Sequence, residues 1–208
     1  MMKFPIALTS LFLSASIALS GCVSVLPDAE PASERYFIND VTPAASTLTQ
    51  AAWALSIEDP SAIRALDTTK IAISRAPGKV EYFAGGEWSD RAPRLIGTAL
   101  IRSFENTERI LGVGSRVSLP HADFILQTDI RDFHVVKTGG REVVKTAVYV
   151  RLTDSRSNVL AAKLFSREAE IEEEKITLVV QQIDQSLAGI MTDIVEWTFE
   201  EAEDAYAK

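Results

Sequence analysis

Three alternating stretches joined by short turns constrain the fold of this chain more than any other feature of its sequence. The stretches cover residues 123–135, 142–154 and 159–171. In the first, Phe124 and Leu126 begin a strict alternation that changes phase near Phe133, which predicts a β-bulge. The turns, TGG and SRSN, are short enough to require hairpins. We therefore predict an antiparallel meander of three strands.

Two stretches with helical periodicity accompany the meander. The first follows Pro93, which suits the first turn of a helix, and Ser89 and Asp90 are its candidate N-caps. Its apolar face contains Leu95, Ile96, Ala99, Leu100, Ile101 and Phe104. The second covers residues 176–199, with Val179, Ile183, Leu187, Ile190, Ile194 and Trp197 on its apolar face. Acidic residues crowd its C-terminal end, so we expect that end to fray.

Shorter strands precede the first helix. Alternation predicts strands at residues 53–57, 69–75 and 80–83, followed by a turn at Gly85-Gly86. The order is strands, helix, strands, helix. We predict an α+β domain over residues 51–208, in which a mainly antiparallel sheet carries two amphipathic helices on one face.

The N-terminal 50 residues have a different composition. Residues 1–21 combine Lys3 with a short apolar run, which is typical of a secretory signal and too short for a stable membrane span. Residues 22–50 are rich in Pro, Ala and Ser and are predicted to form a linker, with a short apolar island, RYFIN, that favours a strand.

The single cysteine of the chain stands at the junction between signal and linker. The sequence Leu-Ser-Gly-Cys ending at Cys22 resembles the bacterial lipobox. This resemblance implies cleavage after Gly21, a diacylglyceryl group on the Cys22 thiol, and usually an acyl chain on the new N-terminus. Two or more chains give a lasting membrane anchor. Val23 differs from the Asp of the Gram-negative inner-membrane retention rule, and so indicates the periplasmic face of the outer membrane.

The charged residues exclude some functions and support none of the common catalytic sites. The formal net charge of −8 makes nucleic acid an unlikely partner. The two histidines, His121 in a predicted loop and His134 on a predicted strand, form no cluster of ligands and no thiol is available beside them, so we predict no metal or cofactor. Asp129 and Asp132, three apart on a strand, are expected to face opposite sides, and GVGSR is interpreted as a loop leaving the helix. We predict no catalytic residues and no enzymatic activity.

Two regions are candidates for partner contact. Tyr82 and Trp88 flank the turn at Gly85 and Gly86, where they either cover the sheet or contact a partner or lipid at a loop tip. The acidic run at residues 168–174 is typical of a solvated face, with docking of a basic partner as its alternative. The acidic tail of the second helix is a further candidate contact.

The sequence also resembles a known family. Leu66-Asp67, a basic strand at 70–75, a Tyr-bearing strand at 80–83, Gly85-Gly86 with Trp88 and the helix at 95–104 occur in the order typical of the ABC-type transport auxiliary lipoproteins, the PqiC/YmbA-like family. The lipobox and the closing amphipathic helix are similar too. The family's early Tyr-rich strand is represented only by Tyr36 and its neighbours.

The resemblance implies an accessory lipoprotein of an Mce-type ABC transporter that moves lipids between membranes. Its partners would be a periplasmic Mce-domain protein and the permease and ATPase of the transporter, and a homo-oligomer would be compatible with such an assembly. Three alternatives stay open: a structural lipoprotein of an outer-membrane assembly complex, a direct periplasmic lipid-binding protein, and an envelope enzyme using His121, His134 or Asp129.

Overall fold

The computed structural model describes residues 33–43 and 50–207. Its strands are β1 Glu34–Tyr36, β2 Ala54–Ile57, β3 Ser61–Ala62, β4 Lys70–Ala76, β5 Lys79–Trp88, β6 Gly112–Ser115, β7 Phe124–Thr138, β8 Arg141–Asp154 and β9 Val159–Ile171. Its helices are α1 Ala92–Glu105 and α2 Ile176–Tyr206. The predicted signal, Gly21 and Cys22 lie outside the described residues.

The predicted meander is confirmed. β7 pairs antiparallel with β8 along its whole length, from Phe124 opposite Asp154 to Thr138 opposite Arg141, and β8 pairs antiparallel with β9. Gly139 and Gly140 both have positive φ, as the tight β7–β8 turn requires. The predicted bulge lies between Ile130 and Asp132, where the register shifts.

The other edge of β7 makes the sheet mixed. Along that edge β2, β3 and β4 pair with β7 in succession, all parallel to it, while β6 pairs parallel with β2 and β1 with β5. Only β4–β5 is antiparallel there. The predicted α+β class with a mainly antiparallel sheet is confirmed, and the sheet is mixed instead of purely antiparallel, because residues 54–76 run past β7 in one direction without folding back as hairpins.

Both helices form as predicted, but their ends differ. The N-cap of α1 is Arg91, without a side-chain cap, and not Ser89 or Asp90. Ser89 is held in the sheet region because its N–H donates to the Tyr36 carbonyl at 2.7 Å. α2 does not fray near residue 199 but continues to Tyr206, since Ala202 is buried in the core and the Tyr206 ring lies 6.5 Å from Phe124.

Two pairs of glycines that the sequence suggested were turn or loop residues lie in strands instead: Gly85 and Gly86 in β5, and Gly112 and Gly114 in β6. β5 continues through Gly85 and Gly86, so the predicted turn there was wrong. Tyr82 pairs with Ala72 and Glu87 with Lys70, so the extra residues of β5 form a long bulge. The actual reversal between β4 and β5 is at Gly78, with φ +72°. GVGSR, interpreted as a loop, contains β6.

The main core lies between the inner face of the sheet and the two helices. Its largest fully buried side chains include Trp53, Phe104, Leu126 and Ile183. The Phe199 ring of α2 lies 5.3 Å from Trp53 and 6.0 Å from Phe104 of α1, so both helices cover one face of the sheet.

Residues 33–43, which composition placed in the linker, contact this domain. β1 joins the sheet beside β5, and Ile38 is buried in the core. We call residues 33–43 the strap.

Candidate partner-binding surface

The face of the sheet opposite the helices is the candidate functional surface, and we call it the outer face. Strand pairing places Ala72, His134 and Lys145 in one cross-strand row, with Glu168 beyond them on β9. The adjacent row, with Ile73, Val135 and Val144, is completely buried against the helices. Because side chains alternate along a strand, the His134 row faces away from the core.

A cavity of about 280 Å³ opens on the outer face, and we call it the outer-face cavity. Its walls come from the segment after β3, from the β4–β5 hairpin and from β7. The lining residues include Ile63, Leu66, Ala72, Val80, Asp132 and His134. Ile63 is 64% exposed and Val80 47% exposed, and Tyr82, two residues on from Val80 along β5, is 38% exposed. This concentration of apolar side chains on an uncovered sheet face suits a protein contact.

His134 is one of the polar residues that line the outer-face cavity, with Lys79, Arg131 and Asp132. Burial lowers the pKa of its imidazole below the ordinary value, and Lys145 acts in the same direction, while the Asp132 carboxylate opposes them. The His134 Nδ1 lies 3.7 Å from the Asp132 Oδ1, too far for a hydrogen bond, and has no partner among the described residues. Nδ1 is itself buried, so this unpaired nitrogen does not face a docked partner directly.

An ionic network lies at the margin of the inner face, beside the N-terminal end of α2. Arg75 pairs with both Glu81 and Glu174, and Lys137 pairs with Glu174 at 3.3 Å and with Glu142 at 2.5 Å. The hydrogen bonds to Glu142 and Glu174 raise the pKa of Lys137. This network joins β4, β7 and β8 to the residues that precede α2.

The acidic run at residues 168–174 is largely paired within the domain. Besides Glu174, Glu168 pairs with Lys145 at 2.7 Å and Glu170 with Arg141 at 3.0 Å. Much of the charge that could attract a basic partner is therefore balanced by neighbouring strands.

The four predicted contact residues occupy different environments. Tyr82 lies on the outer face, where its hydroxyl donates to the Ala65 carbonyl at 3.3 Å. Gly85 is exposed in the β5 bulge with φ +81°. Gly86 is buried, and a Cβ there would lie 2.6 Å from Ile176 Cγ1. Trp88 is 2% exposed, with its ring 5.4 Å from Phe133.

Sequence reasoning did not identify Ile63, Val80 or His134 as surface partners of Tyr82. The alternation of Val80 with Tyr82 carries the signal for that pair. Nothing local in the sequence shows that Ile63 and His134 come beside them, because those contacts join distant strands.

The residues considered for chemistry do not assemble into a catalytic site in the described chain. Asp129 pairs with Arg131 at 2.8 Å, and His121 is exposed in a loop. No group of three His, Cys, Asp or Glu side chains suited to a metal occurs among residues 33–43 and 50–207. The expectation that Asp129 and Asp132 face opposite sides was wrong. Ile130 and Phe133 are both in the core, so the bulge between them leaves both carboxylates on the outer face.

The helices of the described residues include none that is long and apolar enough to cross a membrane.

Comparison with known proteins gives one family and a clear set of structural neighbours. The family model described as "ABC-type transport auxiliary lipoprotein component" matches residues 36–195. An uncharacterized protein of Bradyrhizobium diazoefficiens is 30% identical over 156 residues, which is 75% of this chain. The aligned region is 41% of that relative, so the chain spans less than half of its length.

Two crystal structures have similar folds. The structure of XCC0632 from Xanthomonas campestris, a DUF330 protein, has a TM-score of 0.78 at 21% identity and covers 85% of this chain and 100% of its own. A crystal structure of an uncharacterized protein has a TM-score of 0.63 at 12% identity, covering 80% of this chain and 98% of its own. At these identities the likeness concerns the fold.

Proposed function

This chain belongs to the ABC-type transport auxiliary lipoprotein family, and we propose that it acts by binding, without catalysis, as the accessory subunit of an Mce-type transporter that moves lipids between membranes. Its partners in this proposal are a periplasmic Mce-domain protein and, through it, the permease and ATPase. The family supports the accessory role, and the resemblance of the sequence to Mce-associated lipoproteins supports the finer assignment.

The anchor in this proposal is Cys22. After cleavage behind Gly21, the acylated cysteine holds the domain on the periplasmic face of the outer membrane, as the Leu-Ser-Gly-Cys sequence and Val23 favour. Mass spectrometry of the N-terminal peptide of the mature protein checks the anchor. A free Cys22 thiol, or a peptide extending upstream of residue 22, would refute it.

The observation that carries the binding role is the outer-face cavity. Ile63, Val80 and Tyr82 are exposed together on a sheet face that no helix of the described residues covers. Burying such side chains in a contact releases about 25 cal/mol per Å² of apolar area. The partly exposed imidazole of His134 lines the same cavity. We assign this surface to the Mce-domain protein.

Site-specific photocrosslinking in native cells tests the assignment. A photoreactive amino acid in place of Val80 should form an adduct with the Mce-domain protein, whereas the same residue in place of Val117, which is 92% exposed and lies outside the cavity, should not. An adduct with a barrel-assembly protein would favour the structural alternative, and one with a second copy of this chain would show a homo-oligomer. Equal adducts at both positions would contradict a specific docking surface.

Direct lipid carriage is a weaker alternative. It requires an apolar space between sheet and helices, and in the described residues Leu55, Leu126 and Ile183 occupy that region with their side chains completely buried. Lipid that copurifies with the anchor-free domain would favour this alternative.

A further inference from the structure

The strap is fixed to the domain at several points. The Asn39 backbone N–H and side-chain Nδ2 donate to the two carboxylate oxygens of Asp184 on α2, at 3.1 and 2.8 Å. The Val41 N–H donates to Ser103 Oγ of α1 at 3.0 Å. The Asn106 Nδ2 donates to Asp40 at 2.7 Å and to the Val41 carbonyl at 3.0 Å. The strap therefore contacts the sheet and both helices.

This attachment shortens the connection between the domain and the proposed anchor. If the strap were free, 28 peptide links would separate Cys22 from Gln50. At about 3.6 Å per residue, the connection could then extend to at most about 100 Å. Because the strap is bound, only 11 links separate Cys22 from Ser33, and the limit is about 40 Å whatever conformation they adopt.

The shorter connection limits how the domain can face the membrane. A domain of this size has a radius of gyration near 16 Å and is about 40 Å across. To place β1 on the side away from the bilayer, the connection would have to pass around half of the circumference, about 60 Å, which exceeds its limit of about 40 Å. The connection therefore excludes orientations in which β1 faces directly away from the membrane, and it favours those with β1 toward the membrane.

Exposed apolar side chains lie on that side. Phe37 follows β1 directly and is 70% exposed. The first turn of α2 packs against β1, since Ile176 and Tyr36 meet over Gly86, and Leu178 in that turn is 40% exposed. Arg35, also exposed, stands between Glu34 and Tyr36 on β1. An aromatic ring and an aliphatic side chain beside a tether are suited to the interfacial region of a bilayer.

We propose that the strap orients the domain with its β1 edge against the phospholipid surface, where Phe37 and Leu178 enter the interface. This proposal rests on the Cys22 anchor of the proposed function. The β1 edge would contact the same lipid bilayer that holds the Cys22 anchor, because the connection between Cys22 and the strap is short.

The opposite corner of the sheet provides a matched control. Glu87 pairs with Arg35 of β1, and the strand register places it in the same cross-strand row as Asp132 of β7. The β8–β9 turn lies at the opposite end of β7, beyond the pair of Phe124 and Asp154. The β1 edge and the β8–β9 turn are separated by about eight residues along the strands and by four strand spacings across the sheet. These separations correspond to roughly 30 Å. Ser155 in that turn is exposed.

Fluorescence quenching of the full lipidated protein tests the proposal. Cys22 is the only cysteine, and its thiol is used by the anchor, so a cysteine introduced by Phe37→Cys or Ser155→Cys is the one labelled by bimane. The proteins are placed in phosphatidylethanolamine–phosphatidylglycerol vesicles with or without brominated acyl chains. We expect brominated lipid to lower the emission at position 37 about twofold and to leave position 155 unchanged.

A lengthened connection sharpens the test. Inserting about 20 Gly and Ser residues after Asp28 raises the limit to about 110 Å, enough to pass around the domain. Quenching at position 37 should then fall toward that at position 155. Equal quenching at the two positions of the parent protein, or unchanged quenching after the insertion, overturns the orientation while the anchor stands. Absence of the acyl mass on Cys22 overturns the anchor and the orientation together.

Discussion

The two faces of the central sheet differ completely in what covers them, although they alternate residue by residue along the same strands. On β7, Val135 is fully buried beneath the helices, whereas its neighbour His134 lines an open cavity. The inner face contains most of the core, and the outer face carries exposed apolar side chains such as Val80 and Tyr82. The difference shows that one set of strands can supply both a core and a docking surface, and that substitutions should separate the two.

The inner face should give the largest loss of stability. Leu126→Ala removes a completely buried side chain, and we expect the free energy of unfolding to fall by about 3–5 kcal/mol because a cavity remains. Val80→Ala on the outer face should change it by less than about 0.5 kcal/mol but weaken binding of the partner. Urea denaturation of the mature chain carrying Cys22→Ser measures both. Comparable losses for the two variants would abolish the distinction between the faces.

Gly86 tests the boundary between the strap and the core. Gly86→Ala places a Cβ 2.6 Å from Ile176 Cγ1 and 3.0 Å from the Tyr36 ring, so we expect a loss of about 1–3 kcal/mol in unfolding free energy. Ile176→Ala removes one of the opposing groups, so the double variant should lose less than the sum of the single variants. Strict additivity in urea denaturation would show that the two residues do not interact.

The β7–β9 meander was predictable because its signals are local. Alternation fixes which side chains face inward, and Gly139-Gly140 fixes the turn. The parallel alignment of β2, β3 and β4 on β7 was not predictable, because short strands of like composition carry no signal for which distant partner they join. The same limit made the Gly85-Gly86 pair appear to be a turn, when pairing with β1 and β4 keeps β5 extended.

The candidate site was predictable only in part, for the same reason. Tyr82 was identified, but Trp88 and Gly86 face the interior, because the bulge changes which β5 residues point outward. Ile63 comes from a segment without regular alternation, and His134 reaches the outer-face cavity only because β4 pairs with the second half of β7. The phase change near Phe133 was visible, but its effect on Asp129 and Asp132 required the position of the bulge.

The ionic network should contribute less than the packing does. Arg75→Ala removes the pairs with Glu81 and Glu174, and since these groups are partly exposed we expect a modest loss of stability. The loss should shrink in 1 M NaCl, where the Debye length is about 3 Å. Arg75→Lys is the matched control, because it keeps the charge. A loss that does not depend on salt would assign the effect to packing of the Arg75 side chain instead of charge.

Protonation of His134 should have the smallest effect on the free energy of unfolding, and this effect should depend on pH. The folded-state pKa of His134 lies below its unfolded value of about 6.5, so near and below that pH the unfolded chain binds more protons. Stability should therefore be unaffected well above pH 6.5 and should decrease as the pH falls through and below about 6.5. One proton limits the slope to about 1.4 kcal/mol per pH unit.

Two variants check the His134 assignment by urea denaturation over this pH range. His134→Gln should remove this part of the pH dependence. Asp132→Asn takes away the carboxylate that favours the charged ring, so it should lower the pKa further and extend the decrease to lower pH. If His134→Gln kept the decrease unchanged, the imidazole would not be the group that burial on the outer face makes harder to protonate.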